Sequence, residues 1–396
     1  MSVISNQMEG YLERSSWIRR MFEAGIALKK EHGADAVCDF SLGNPDLPAP
    51  PAVGEALADL TRKACDPLVF GYMPNGGFDF ARQALARHLS EEQKVELAGA
   101  DVVITCGAAG GINAFFRATL NPGDEVLAFA PYFVEYGFYA ENNNGKFRAL
   151  QSTANDFAPD LVELEAALSP TTRVLIINSP NNPTGQVYSP QQLEAVARLL
   201  KRKSAEYGRP IFLLSDEPYR FLTYDGHVVP PVLPAYEYAV VVGSFSKSLG
   251  LAGERVGYLA VAPNMPGKEK LINACIMTNR ILGFVNPPVI GQYLMTAALG
   301  AQVDASVYDR RRQKMAQVLT EAGIDYLMPK GAFYFFPKAP RGDDLGFVKR
   351  LSEELVLAVP GTGFGRAGHF RLCFAVDEKI IERSAPGFKR AAQDFK

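Results

Sequence analysis

The sequence predicts an α/β fold: a large domain with a mostly parallel mixed sheet covered by helices on both faces, plus a smaller α+β domain. Three observations predict it. Continuous apolar runs recur through the middle of the chain, and runs that do not alternate with polar residues read as strands buried on both faces. Helical patterns separate most of these runs, as parallel neighbours require. After about residue 295 the alternation stops, and long helices enclose only short apolar runs.

The elements follow in order. Residues 1–47 are expected to form an N-terminal arm and part of the small domain, ending in the Pro-rich loop "GNPDLPAPP" (43–51). In the large domain, 48–295, "DVVITCG" (101–107) reads as a strand, "AAGGINAFFRATL" (108–120) as a helix and "EVLAFA" (125–130) as a strand. A helix at 132–143, a strand at 173–180, a helix at 190–208 and a strand at 211–219 come next. The strands at 238–245 and 255–261 have no helix between them and are expected as an antiparallel edge. The small C-terminal domain, 296–396, should hold a long helix (304–322), short strands at 331–337 and 370–376, and a terminal helix.

Composition excludes several classes. The chain has 396 residues, a formal charge of −2 and 47% hydrophobic residues, enough for a large core and too little basic character for nucleic acid or an anionic membrane. The clusters "KRK" (201–203) and "RRRQK" (310–314) lie in helical patterns and read as solvated faces. Five dispersed cysteines suit reduced thiols, and the four histidines show no metal spacing, so no metal is expected. "MSVISNQMEG" lacks the apolar centre of a signal peptide, which points to the cytoplasm.

In open α/β sheets, ligands bind beyond the carboxyl ends of the strands. Four predicted strands end in "GAAGG", "SPNNPTG", "SDEPY" and "SFSK". Singly each has a bland reading: close helix packing, a turn, a helix cap, a solvated lysine. Together they would face one crevice.

The ordered set resembles the class I/II, aspartate aminotransferase-like members of the fold-type I pyridoxal phosphate enzymes. It comprises G-x-P at 43–45, "FGYMPNGG" (70–77), "GAA" (107–109), "PYF" (131–133), "NNPTG" (181–185), "SDEPY" (215–219), "SFSKSLGLAGERVGY" (244–258) and "FRLCFA" (370–375). The resemblance implies a ping-pong aminotransferase with pyridoxal 5'-phosphate bound as a Schiff base on Lys247, and a homodimer with shared sites. Arg255, Ser244, Ser246 and the amides of Ala108 and Ala109 would hold the phosphate. Asp216 would pair with the pyridine nitrogen, Tyr219 and Asn182 would bond the phenolic oxygen, and Phe133 would stack on the ring. Arg371, with Gly43 and Asn182 nearby, would grip the substrate α-carboxylate, and Lys247 would then move the α-proton. Tyr72 would reach the phosphate from the partner subunit. Arg280, 25 residues after Arg255 and shortly before "NPP", matches an arginine that in aspartate aminotransferases binds a distal carboxylate across the dimer.

Other readings stay open. A β-lyase acting on cysteine-type substrates and an aminotransferase for neutral or aromatic amino acids share nearly every motif. A transcription regulator would need a winged-helix segment before Gly43, where 42 residues stand. A dinucleotide-binding reading of "GAAGG" lacks the G-x-G spacing.

Overall fold

In a computed structural model, residues 2–151 and 156–395 are described, residues 14–24 by backbone alone. β1 (Cys38–Asp39) comes first. The large sheet follows with β2 (Val102–Cys106), β3 (Glu125–Ala130), β4 (Lys146–Gln151), β5 (Thr172–Asn178), β6 (Phe212–Asp216), β7 (Ala239–Ser244) and β8 (Val256–Val261). Later strands are β9 (Tyr334–Phe335), β10 (Val356–Leu357), β11 (Val359–Pro360) and β12 (Phe370–Cys373).

The large sheet has the order β2-β8-β7-β6-β5-β3-β4, and β3 to β7 are mutually parallel. Val240, Val241 and Val242 are all fully buried, as a strand covered on both faces requires. β8 is antiparallel to both β7 and β2. The expected antiparallel edge pair is therefore corrected: β8 lies inside the sheet, and β2 closes that edge. The reversal itself follows from the short connection between β7 and β8, which leaves no room for a crossover. β4 was not anticipated. Its residues KFRALQ are mostly exposed or half-buried, which is how an edge strand reads.

The smaller domain holds the antiparallel sheet β11-β12-β9 and the parallel pair β1-β10. Helices Ala305–Ala322 and Glu378–Asp394 cover a core around Phe40, Tyr308, Phe333, Phe335 and Phe370. The basic cluster at 310–314 corrects a second expectation, because Arg311 and Arg312 are buried. Arg312 pairs with Asp225 and Asp309 and stacks on Tyr224 at 4.3 Å, while Arg311 forms a bidentate pair with Asp46. Buried charge survives only when paired, and Asp46 and Asp225 come from distant chain segments.

The arm carries the long helix Asn6–His32, capped by Ser5, followed by a short 3-10 helix, Ala34–Ala36. The later half of the long helix meets the small domain, with Gly25 against Leu357 and Lys29 paired with Asp39. Its start meets the large domain, where Tyr11 and Phe138 pack edge to face at 5.1 Å. Among the described residues, no helix is long and apolar enough to cross a membrane.

Candidate active site

A cavity of ≈ 390 Å³ opens at the carboxyl ends of β2, β5, β6 and β7 and is closed by β9, β11 and β12 of the small domain. It gathers Gly43, Ala108, Ala109, Phe133, Asn182, Asp216, Tyr219, Ser244, Ser246, Lys247, Arg255 and Arg371, the sequence-predicted set apart from Tyr72 and Arg280.

One end is built for an anion. Helix Gly107–Thr119 begins directly after β2, so its first N–H groups face the cavity without intrahelical partners. Close approach makes this possible. A side chain at Gly257 would meet Gly107, Gly243 and Ala108 backbone atoms at 2.6 to 2.8 Å. A Cβ at Gly107, whose φ is +70°, would lie 2.9 Å from the Arg255 guanidinium. Arg255 itself adopts φ +51°, a conformation uncommon without glycine, and completes this end with Ser244 and Ser246.

Lys247 sits on the single helical turn Phe245–Ser248 after β7. Its Nζ donates to the Gly43 carbonyl at 2.7 Å. Gly43 thus presents its carbonyl to Lys247 at the wall of the same cavity. Burial pulls the amine down to about 8; Arg255 and Arg371 reinforce the effect against an opposing contribution from Cys373.

Asp216 ends β6. Its Oδ2 accepts from the Tyr136 hydroxyl at 2.6 Å, and its Oδ1 is buried with no partner. Burial lifts this carboxyl to about 7, with Tyr136 opposing and the Glu217 carboxylate adding to the rise. Sequence reasoning missed Tyr136. The available signal was position, since Tyr136 lies three residues after Phe133, and their rings meet edge to face at 5.5 Å although the helix Glu135–Asn142 begins only after Phe133. Asn178 was missed as well. It donates to the Asp216 carbonyl at 2.8 Å and accepts from the Asn182 amide at 2.6 Å, fixing both residues.

At the other end, the Arg371 guanidinium lies between the rings of Tyr334 (5.0 Å) and Phe364 (4.7 Å). Its Nη1 donates to Asn182 Oδ1 at 3.1 Å and its Nη2 to the Ser41 carbonyl at 2.6 Å, leaving a buried Nε without a partner. Tyr219 and Tyr334 share a hydrogen bond of 2.8 Å between hydroxyls. Glu135, half-buried in the wall, was also not anticipated, and burial raises its carboxyl. Tyr72 is 93% exposed and Arg280 is exposed beside Met277; neither reaches this cavity within one chain.

The family model described as aminotransferase class I and II matches residues 35–386. The chain belongs to this family. The aminotransferase is 32% identical to the aspartate/prephenate aminotransferase of Thermus thermophilus, over 91% of this chain and 92% of that protein. It is 33% identical to the aspartate aminotransferase of Thermotoga maritima, over 95% and 98%. A crystal structure of an aminotransferase from Eubacterium rectale matches with a TM-score of 0.95 at 35% identity, covering all of both chains.

Enzymes of this type use pyridoxal phosphate, and the groups in this aminotransferase fit that cofactor. The buried, unpartnered Asp216 Oδ1 suits a protonated ring nitrogen. The helix N-terminus, two serines and Arg255 suit a phosphate, and Lys247 is an amine made nucleophilic near neutrality. Among the described residues, no cluster of side chains could hold a metal ion.

Proposed function

We propose that this aminotransferase moves the amino group of an aspartate- or glutamate-type L-amino acid to a 2-oxo acid, in a homodimer whose two sites each draw on both chains. The observation that supports this most is one exposed apolar face. Leu68, Phe70 and Tyr72 on one segment and Met277, Ile281, Phe284 and Val285 on another are exposed, and Asn75 joins the segments by donating to the Val285 carbonyl at 2.6 Å. Such a face marks a protein interface, and it carries both Tyr72 and Arg280. The cavity holds three cations, Lys247, Arg255 and Arg371, each with its own task in this reading, so a cation for a distal carboxylate would come from the second chain. The names of the relatives from Thermus thermophilus and Thermotoga maritima agree with this donor class.

In this reading, Arg371 binds the substrate α-carboxylate through its free Nε and Nη edge and turns the Cα–H bond toward the Lys247 side. Lys247 Nζ takes the α-proton and returns it one step further along, because its depressed pKa leaves a usable neutral fraction near pH 7 to 8. The bound cofactor supplies an electron-withdrawing ring. Asp216 keeps the ring nitrogen protonated, Tyr136 holds Asp216, Phe133 covers the ring face, and Tyr219 and Asn182 address the phenolic oxygen. A second 2-oxo acid then runs the steps backward, giving ping-pong kinetics. The five cysteines are free thiols, which supports a reducing, cytoplasmic setting.

A second reading, neutral or aromatic donors, is favoured by the apolar wall of Leu42, Val134, Val359 and Phe364. A donor panel with 2-oxoglutarate as acceptor decides between them. Dicarboxylic donors should give the highest kcat/KM, and a lead by alanine or phenylalanine overturns the first reading. Release of pyruvate and ammonia from cysteine-type substrates without an acceptor would mark a β-lyase instead.

A further inference from the structure

Tyr334 stands at a junction of the site. It comes from β9 of the small domain, is 2% exposed and forms part of the cavity wall. Its hydroxyl lies 2.8 Å from that of Tyr219, on the loop after β6, so the bond joins the two domains inside the site. Its ring lies 5.0 Å from the Arg371 guanidinium. A side chain on Gly43, the residue whose carbonyl holds Lys247, would collide with the Tyr334 hydroxyl. One phenol thus touches the residues assigned to the substrate carboxylate, to the cofactor oxygen and to the lysine.

The direction of the Tyr219–Tyr334 bond matters, because each hydroxyl has one hydrogen. Tyr334 has no other hydrogen-bond partner among the described residues, whereas Tyr219 faces whatever occupies the cavity. Either hydroxyl can donate in this pair; once the cavity holds an acceptor for Tyr219, Tyr334 donates to Tyr219 and the Tyr219 hydrogen serves the cavity. A bond received by a hydroxyl strengthens the bond it donates. The charge of Arg371 beside both phenols makes them better donors, and a carboxylate bound on Arg371 cancels that charge. Cys373 and Tyr308 also lie close enough to act on the Tyr334 hydroxyl, and neither contacts the substrate carboxylate in this reading.

We propose that Tyr334 is a positioning residue that transmits carboxylate binding at Arg371 to the Tyr219 hydroxyl, and through it to the proton affinity of the Lys247–cofactor chromophore. This rests on the roles of Arg371 and Tyr219 proposed above. A donor to the phenolic oxygen favours the deprotonated chromophore, so weakening that donor raises the apparent pKa.

The test is an absorbance titration of the holoenzyme, with and without saturating maleate or 3-phenylpropionate, for wild type and Tyr334→Phe. Tyr334→Phe is expected to raise the chromophore pKa of the free enzyme by about one unit. In wild type, carboxylate binding should raise that pKa, and in Tyr334→Phe it should raise it clearly less. In a Tyr219→Phe background, Tyr334→Phe should add little. An equal carboxylate-induced rise in wild type and Tyr334→Phe overturns the role of Tyr334 alone. Failure of either carboxylate to bind wild type or to move its chromophore overturns the Arg371 reading together with it. Gly43→Ala, which presses a methyl group on the same hydroxyl while keeping Tyr334, should shift the free-enzyme pKa in the same direction; it decides the matter if Tyr334→Phe does not fold.

Discussion

Asp216 shows how one residue can serve function against stability. Its folded-state pKa of about 7 lies above the ordinary carboxyl value of 3.8, so without cofactor the folded chain holds this proton more tightly than the unfolded chain. Stability of the cofactor-free protein should therefore fall as pH rises from about 4 to about 7 through this group, by at most about 1.4 kcal/mol per pH unit. Asp216→Asn removes the burden. It is expected to raise the cofactor-free melting temperature at pH 8 but not at pH 4, while cutting transamination by about 10² to 10³. Equal melting temperatures at pH 8 would count against it. Lys247 gives a companion expectation: modification of its amine in the cofactor-free protein should rise through about pH 8, not through the ordinary lysine range. The strand-end motifs were visible because strand direction alone sends them to one edge of the sheet, whereas Gly43, Phe133, Arg255 and Arg371 were reached through the family resemblance. Tyr136 and Tyr334 escaped because their partners, Asp216 and Tyr219, are brought to them by the fold, and Asn178 because Asp216 reaches it only through the β5–β6 pairing.

At the scale of elements, the glycines of β7, β8 and the start of helix Gly107–Thr119 let three backbones meet where the anion end is built. Gly257→Ala would push a methyl into two neighbouring backbones, an overpacking that typically costs about 1 to 3 kcal/mol. It should lower the melting temperature of the cofactor-free protein and weaken cofactor affinity at least ~10-fold by fluorescence titration; unchanged affinity would show that the helix start does not hold the phosphate. The alternation of strand and helix was legible because strands buried on both faces leave continuous apolar runs. β4 was not, since an edge strand carries polar residues, and neither was the place of β8, because pairing order is a property of the sheet and not of any one strand. The helix Ala305–Ala322 was read from its periodicity, yet its arginines proved to be buried charge whose partners no local pattern reveals.

For the whole molecule, the proposed dimer makes two predictions. Mixing a Lys247→Ala protein with a Tyr72→Ala protein should restore activity, because a hybrid dimer can hold one intact site; no recovery after verified subunit exchange would argue against sharing. Arg280→Ala should cut kcat/KM for aspartate at least ~30-fold and leave alanine nearly unchanged. Equal losses for all donors would show that Arg280 does not read the side chain.

The helix Asn6–His32 touches the large domain near its start and the small domain near its end. At 1.5 Å per residue it is a rod of roughly 40 Å, and rods of that length bend little. Any ligand that alters the angle between the two domains must therefore flex this rod or loosen one of its moorings. Amide exchange at its two ends would then act as a gauge of cavity occupancy, read from outside the cavity and independent of any colour or catalysis within it.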